Sequence, residues 1–134
     1  MPTTSGIVRI AAMSDIHVSK TSQGALTSVF AQVSERADVL VMCGDLTDYG
    51  LPEEARVLAR DVATALRVPC VTVLGNHDFE AGKADEVRQI LTDAGVTVLD
   101  GDACEIQGVG FAGVKGFCGG FGRGALGPWG EDII

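Results

Sequence analysis

Apolar runs and amphipathic stripes alternate along most of this 134-residue chain. The runs at 7–13, 39–43 and 71–74 are apolar almost throughout, which is typical of parallel strands covered on both faces. Between and after them, apolar residues recur at the spacing of one helix face. These stripes are Leu26, Val29, Phe30 and Val33; Ala55, Leu58, Ala59, Val62 and Leu66; and Val87, Ile90, Leu91 and Ala94. The pattern predicts three helices alternating with strands.

Residues at the ends of two stripes predict where those helices begin and end. Pro52 suits the first helical position, and Glu53 and Glu54 in the first turn complement the helix dipole. Pro69 ends the second helical segment, and Gly95 predicts the C-terminal cap of the third helix.

Three further short strands are predicted at 96–99, 104–107 and 109–114. The order β-α-β-α-β-α-β-β-β indicates an α/β fold with a mostly parallel sheet, flanking helices and right-handed crossovers. We expect the last strands to form an antiparallel edge of that sheet. The whole chain is predicted to be one domain, with a βα core at 1–115 and a glycine- and aromatic-rich loop at 116–134.

Composition narrows the classes of function. Hydrophobic residues make up 46% and charged residues 21%, which is typical of a globular domain. The net charge of −8 disfavours nonspecific binding to nucleic acid or to an anionic membrane. The sequence shows neither a signal-peptide pattern nor an apolar run long enough for a membrane span, and its four cysteines form no C-x-x-C pair. A cytoplasmic protein with reduced, mostly buried thiols is therefore expected.

Three polar clusters follow the first three predicted strands. They are Asp15-Ile16-His17, Gly44-Asp45-Leu46-Thr47-Asp48 and Gly75-Asn76-His77-Asp78. Their spacing matches one strand-helix-strand unit, so all three clusters should lie at the carboxyl-end edge of one sheet, where ligands bind in open α/β sheets. One cluster alone would suit a turn or a helix cap. Together, carboxylate, amide and imidazole groups favour Zn, Fe, Mn or Co over Mg or Ca.

In this order and spacing, the three clusters resemble the D-x-H, G-D-x-x-D and G-N-H-[DE] motifs of the calcineurin-like metallophosphoesterase superfamily, in particular its bacterial phosphodiesterases and phosphatases. The resemblance implies the amino-terminal half of a four-layer α-β-β-α sandwich. It also implies two transition metals, divalent or trivalent Mn, Fe or Zn. Asp15 and His17 would bind the first metal, Asp45 would bridge the two, and Asn76 would bind the second.

The same resemblance assigns the catalytic roles. His77 would contact the phosphate and protonate the leaving group, and the Asp48 carboxylate would orient His77. Asn76 and His77 would thus both contact a phosphate ester substrate.

The sequence departs from the family pattern in its histidines, because none follows His77. The family pattern continues with further metal-binding histidines, including a G-H-x-H element, so we expect a truncated domain that carries the first half of the ligands. Two functions stay open: a metal-dependent phosphoesterase, or a non-catalytic half-domain that binds a partner or the missing half. An uncovered sheet face would also expose apolar surface, which predicts self-association.

Overall fold

The computed structural model describes residues 6–117 and 122–124 and has an α/β architecture. Its strands and helices follow the predicted order: β1 (Ile10–Met13), α1 (Thr27–Arg36), β2 (Val39–Cys43), α2 (Pro52–Ala65), β3 (Cys70–Val73), α3 (Ala84–Asp93), β4 (Thr97–Val98), β5 (Asp102–Ile106) and β6 (Val109–Gly113). Two short 3-10 helices span Asn76–Phe79 and Gly122–Gly124. The rest of the predicted glycine-rich loop after residue 117 lies outside the described residues.

Four parallel strands form the main sheet in the order β1-β2-β3-β4. Each strand is joined to its neighbour by one helix, and right-handed crossovers in this sequential order place all three helices on the same face. The carboxyl ends of the strands meet at one edge of the sheet, hereafter the rim.

The hydrophobic core lies between the sheet and the three helices. Phe30 of α1, Leu58 of α2 and Leu91 of α3 are fully buried there against Leu40 and Met42 of β2. The predicted helix stripes therefore face the core, with one exception. Val29 of α1 is 42% exposed because it lies at an open groove beside the edge strand β1.

The beginning of α2 shows how local sequence sets a helix end. Pro52 occupies the first turn, and the buried Glu54 carboxylate accepts hydrogen bonds from the backbone N–H groups of Tyr49 and Leu51, at 2.9 and 3.0 Å. These bonds satisfy donors that a helix start leaves unpaired. Gly95 follows α3 with φ 91°, the left-handed conformation expected of a C-terminal glycine.

The predicted antiparallel edge was wrong. Strands β5 and β6 form a separate two-stranded antiparallel sheet, and this hairpin packs on the face of the main sheet opposite the helices. Gly113 of β6 lies against Val73 and Leu99 so closely that a Cβ there would be 2.6 Å from a Val73 methyl group. The hairpin buries apolar surface on this second face, which it could not do from the sheet edge.

The hairpin covers the second face only in part. Val39 and Val71 are buried, whereas Val41 and Val73 are half-buried and line an apolar groove together with Phe111 of β6. Among the helices in the described part of the chain, none combines the length and apolar character needed to cross a bilayer.

Candidate metal centre

Three loops at the rim carry all the predicted site residues: the first rim loop (14–18), the second (44–50) and the third (75–78). The first two loops are joined by backbone hydrogen bonds that continue the pairing of β1 with β2. His17 N–H donates to the carbonyl oxygen of Asp45 at 3.1 Å, and Val18 N–H donates to that of Leu46 at 2.9 Å. The two loops therefore hold their side chains at fixed separation.

Asp78 joins the second rim loop to the third. Its carboxylate is fully buried and accepts hydrogen bonds from Leu46 N–H (3.2 Å), Thr47 N–H (2.8 Å), the Thr47 hydroxyl (2.6 Å) and Gly75 N–H (2.8 Å). Burial raises the pKa of Asp78, and these hydrogen bonds oppose that rise. The motif contains Asp78, but its sequence position alone did not indicate this structural role.

Glycines let the second and third loops touch. A Cβ on Gly75 would overlap the backbone nitrogen and carboxylate of Asp45, and a Cβ on Gly44 would lie 3.0 Å from the Gly75 backbone. Gly50 packs equally closely on the carbonyl oxygen of Asp78, 2.7 Å from where a Cβ would stand. No other residue type fits at Gly75 without displacing the candidate ligand beside it.

Backbone strain is concentrated at the same loops. Asp15, His17 and Asp45 have positive φ angles of 54°, 44° and 50°. Non-glycine residues rarely adopt this conformation, which costs about 1–3 kcal/mol per residue and persists only where the surroundings enforce it. No sequence pattern predicted this strain, which lies at three of the residues predicted to bind metal.

The structure brings together three candidate ligands from different loops. Donor atoms of His17, Asp45 and His77 all lie within 4.8 Å of one another. His17 Nε2 is 3.8 Å from Asp45 Oδ2 and 4.0 Å from Asp15 Oδ1. The two imidazole rings meet edge-on, with centroids 4.6 Å apart. His77, for which the sequence predicted a catalytic role rather than metal binding, therefore lies in the same group of donor atoms as His17 and Asp45.

Asp48 and Asn76 occupy the edges of this cluster. The carbonyl oxygen of Asp48 is 2.9 Å from His77 Nδ1, while its carboxylate lies 3.4 Å from His17 Nδ1. The contact predicted for the Asp48 side chain with His77 is thus made by its backbone. Asn76 is half-buried and begins the 3-10 helix that also holds His77.

Asp45 is more enclosed than Asp15 or His17, with its side chain 13% exposed against 63% and 34%. Its Oδ1 accepts the backbone N–H of His77 at 3.1 Å, which leaves Oδ2 directed toward His17. This hydrogen bond fixes the orientation of the Asp45 carboxylate, as the predicted bridging position between two metal ions requires.

The surroundings shift the pKa values of Asp15 and His77 in opposite directions, down for the carboxyl and up for the imidazole. A hydrogen bond from the Ser14 hydroxyl (2.5 Å) is the main cause that lowers the pKa of Asp15. Desolvation lowers the pKa of His77, but the hydrogen bond to the Asp48 carbonyl and the charges of Asp45, Glu80 and Asp48 outweigh it, so the pKa is raised. Carboxylate oxygens and imidazole nitrogens converging at this spacing fit a transition metal ion.

Comparisons with known proteins agree with this chemistry. The family model of the calcineurin-like phosphoesterases matches residues 8–118. A glycerophosphodiester phosphodiesterase, GpdQ, of Enterobacter lignolyticus (strain SCF1) is 41% identical over 61 residues, which are 46% of this chain and 22% of that protein. A UDP-2,3-diacylglucosamine hydrolase of Edwardsiella ictaluri (strain 93-146) is 34% identical over 98 residues, 65% of this chain and 36% of that protein.

The matched segments thus span between about a fifth and just over a third of these two relatives. The parallel sheet with its helices on one face is consistent with the amino-terminal half of the metallophosphoesterase fold. The family match contains every loop of the rim and most of the described chain. With its three motifs folded onto one rim, this chain belongs to the calcineurin-like phosphoesterase family.

Proposed function

We propose that this chain carries the first half of a two-metal site that hydrolyses phosphomonoesters or phosphodiesters. The observation that supports this most directly is the convergence of His17, Asp45 and His77 within 4.8 Å, beside Asp15. The name of the GpdQ relative favours a phosphodiester as substrate.

The proposed metal ligands are Asp15, His17, Asp45 and Asn76, with Asp45 between the two positions. The bound ions, Mn, Fe or Zn, would polarise the phosphate and make water a stronger nucleophile. The chain itself positions the ligands through the strained backbone of the first two loops and through the Asp78 hydrogen bonds between the second and third.

His77 is proposed as the general acid. The Asp48 carbonyl can only accept a hydrogen bond, so the proton between them belongs to Nδ1 of His77. The neutral ring then has no proton on Nε2, and Nε2 donates to the leaving oxygen only from the imidazolium form. The raised pKa of His77 enlarges the fraction of that form near neutral pH.

The test is hydrolysis of a glycerophosphodiester, whose alkoxide leaving group needs a proton, by the full chain with added Mn²⁺. We expect His77→Gln to lower kcat by about 10²–10⁴-fold through loss of the general acid. Asp45→Asn should weaken Mn²⁺ binding in a calorimetric titration. Asp93→Asn removes an exposed carboxylate at the end of α3 and serves as the control. Activity that survives both site substitutions would refute the proposal.

A second candidate function is a non-catalytic half-domain that binds a partner, and the apolar groove on the second sheet face supports it. We propose that two copies associate through this groove, which is lined by Val41, Val73 and Phe111. Light scattering should show a dimer that Val41→Glu dissociates and that Val29→Glu, at the α1 groove, leaves intact. A wild-type monomer at every concentration tested would exclude this association.

The compartment proposed is the cytoplasm. Cys43, Cys70 and Cys104 are all free thiols in the described structure, which suits a reducing environment.

A further inference from the structure

A small cavity lies on the same rim as the candidate metal centre, one strand further along the sheet. Its walls include Leu74 after β3, Leu99 after β4 and Phe79, the last residue of the 3-10 helix that carries Asn76 and His77. Lys115 and Arg88 line the same cavity. Any ester held at the metal centre would thus have this cavity beside it.

Lys115 is held at this place by the chain that follows β6. Gly116 N–H donates to the carbonyl oxygen of Leu74 at 2.7 Å, and a Cβ on Gly116 would lie 3.2 Å from the Gly75 backbone. This segment therefore packs directly on the third rim loop. The ammonium group of Lys115 lies 5.2 Å from the centroid of the Phe79 ring, a cation–π contact.

Both cations of the cavity retain unused hydrogen-bonding capacity. Within the described residues, neither Lys115 nor Arg88 forms a salt bridge, although the exposed Asp85 and Asp100 also line the cavity. Arg88 donates from Nη2 to the carbonyl oxygen of Val98 at 3.2 Å, and its other donors have no bond in the described structure. Two cations positioned without carboxylate partners can receive an anion.

Lys115 and Arg88 lie beside a rim that is otherwise rich in acidic side chains. The neighbouring rim carries Asp15, Asp45, Asp48 and Glu80, and the chain as a whole has a net charge of −8. Lys115 and Arg88 are therefore the cations available to an anion at this end of the rim, where the carboxylates of Asp85 and Asp100 partly offset their charge.

The cavity volume of about 40 Å³ limits what can enter. About 10–15 Å³ of such volume holds one water molecule, so the cavity accepts a group of roughly three heavy atoms beyond its mouth. That is the size of a carboxylate or part of a phosphate, and it is too small for a base or a sugar.

We propose that Lys115 and Arg88 form a subsite for a second anionic group of the substrate, a phosphate or a carboxylate carried on an alcohol that is esterified to the reacting phosphate. This deepens the proposed function and rests on it for the identity of the ligand. The preferred substrate is then a phosphate ester with two anionic centres rather than a singly charged diester.

Anion binding is tested first without metal or turnover, by titrating the metal-free full chain with methyl phosphate and following backbone amide shifts by NMR. Saturable shifts are expected at Lys115, Arg88 and Phe79. Lys115→Met should weaken the binding about tenfold, whereas Lys83→Met, an exposed lysine paired with Glu86, should leave it unchanged. Arg88→Met serves as the second variant if Lys115→Met does not fold. Absence of saturable shifts at these residues, or equal binding by wild type and the folded variants, would overturn the subsite.

The link to substrate is tested with two 4-nitrophenyl phosphodiesters that differ only in a phosphate on the alcohol. Lys115→Met should raise KM about tenfold for the doubly anionic ester alone, with kcat unchanged. An equal change in KM for both esters would overturn the assignment of the second anionic group. If wild type binds methyl phosphate at Lys115 but hydrolyses neither ester, the proposed function fails while the anion site stands.

Discussion

The buried carboxylate of Asp78 provides a quantitative test of how the rim is held together. Asp78→Asn keeps the size of the side chain but leaves one acceptor oxygen in place of two. Oδ1 accepts from the Thr47 amide and hydroxyl, whereas Oδ2 accepts from Leu46 and Gly75 N–H groups. An asparagine that keeps the Thr47 contacts places its NH₂ group against the other two donors.

The expected loss follows from those two contacts. Each buried N–H left without an acceptor costs about 1–3 kcal/mol, so the variant should lose roughly 2–6 kcal/mol of unfolding free energy. For a domain of this size, 1 kcal/mol corresponds to about 4 °C in Tm, which gives a fall of roughly 8–24 °C.

The measurement is urea unfolding of the full chain followed by circular dichroism, with Asp93→Asn as the matched control. Asp93 is exposed and accepts one hydrogen bond from Gln89, so its amide variant should stay within about 0.5 kcal/mol of wild type. If Asp78→Asn were as stable as Asp93→Asn, the hydrogen bonds between the second and third rim loops would not stabilise the fold, and the reasoning would be refuted.

Three further predictions concern other sites. Gly75→Ala should abolish Mn²⁺ binding in calorimetry because the added methyl group would overlap the carboxylate of Asp45. Gly110→Ala is the control: its Cβ has open space, so this variant should bind Mn²⁺ as wild type does. Equal loss of binding in both variants would contradict the prediction. Burial raises the pKa of Cys70 to about 12, so iodoacetamide at pH 8 followed by peptide mapping should label the exposed Cys43 and spare Cys70 until the chain is unfolded. Asp61→Ala should lower the unfolding free energy by about 1–3 kcal/mol, since the buried Asp61 carboxylate accepts hydrogen bonds from two backbone N–H groups of the loop before α1. A change below about 0.5 kcal/mol would show that other contacts hold this loop.

The local hydrophobic pattern was sufficient to predict the helices and the order of the strands along the chain. The stripes around Phe30, Leu58 and Leu91 predicted helices whose buried faces are those in the structure, because the 3.6-residue period records directly which side faces the core. The same pattern could not place β5 and β6. Short strands of alternating apolar and polar residues can pair with the edge of a sheet or form a hairpin that packs on its face. Only the fit of Gly113 against Val73 and Leu99 decides between these two arrangements.

For the candidate site, too, the sequence predicted some features and only the tertiary structure decided others. The spacing of the three motifs placed Asp15, Asp45 and Asn76 after successive strands, so their meeting at one rim followed from parallel pairing alone. Sequence could not show that Asp48 meets His77 through its carbonyl oxygen, or that Lys115 stands beside the third rim loop. These contacts depend on loop conformation, which side-chain identity only weakly determines.

The sequence by itself thus determined the α/β class, the family and the residues that supply oxygen and nitrogen donors, because periodicity and motif order are one-dimensional properties. The tertiary structure alone decided how those donors are aimed. Left-handed backbone at Asp15, His17 and Asp45 is locally unfavourable and persists because loops distant in sequence hold one another. Backbone hydrogen bonds from Asp15 and His17 join the first loop to the second, and Asp78 joins the second loop to the third. Such strain is maintained by contacts between loops rather than by any local pattern, so it becomes visible only in the folded chain.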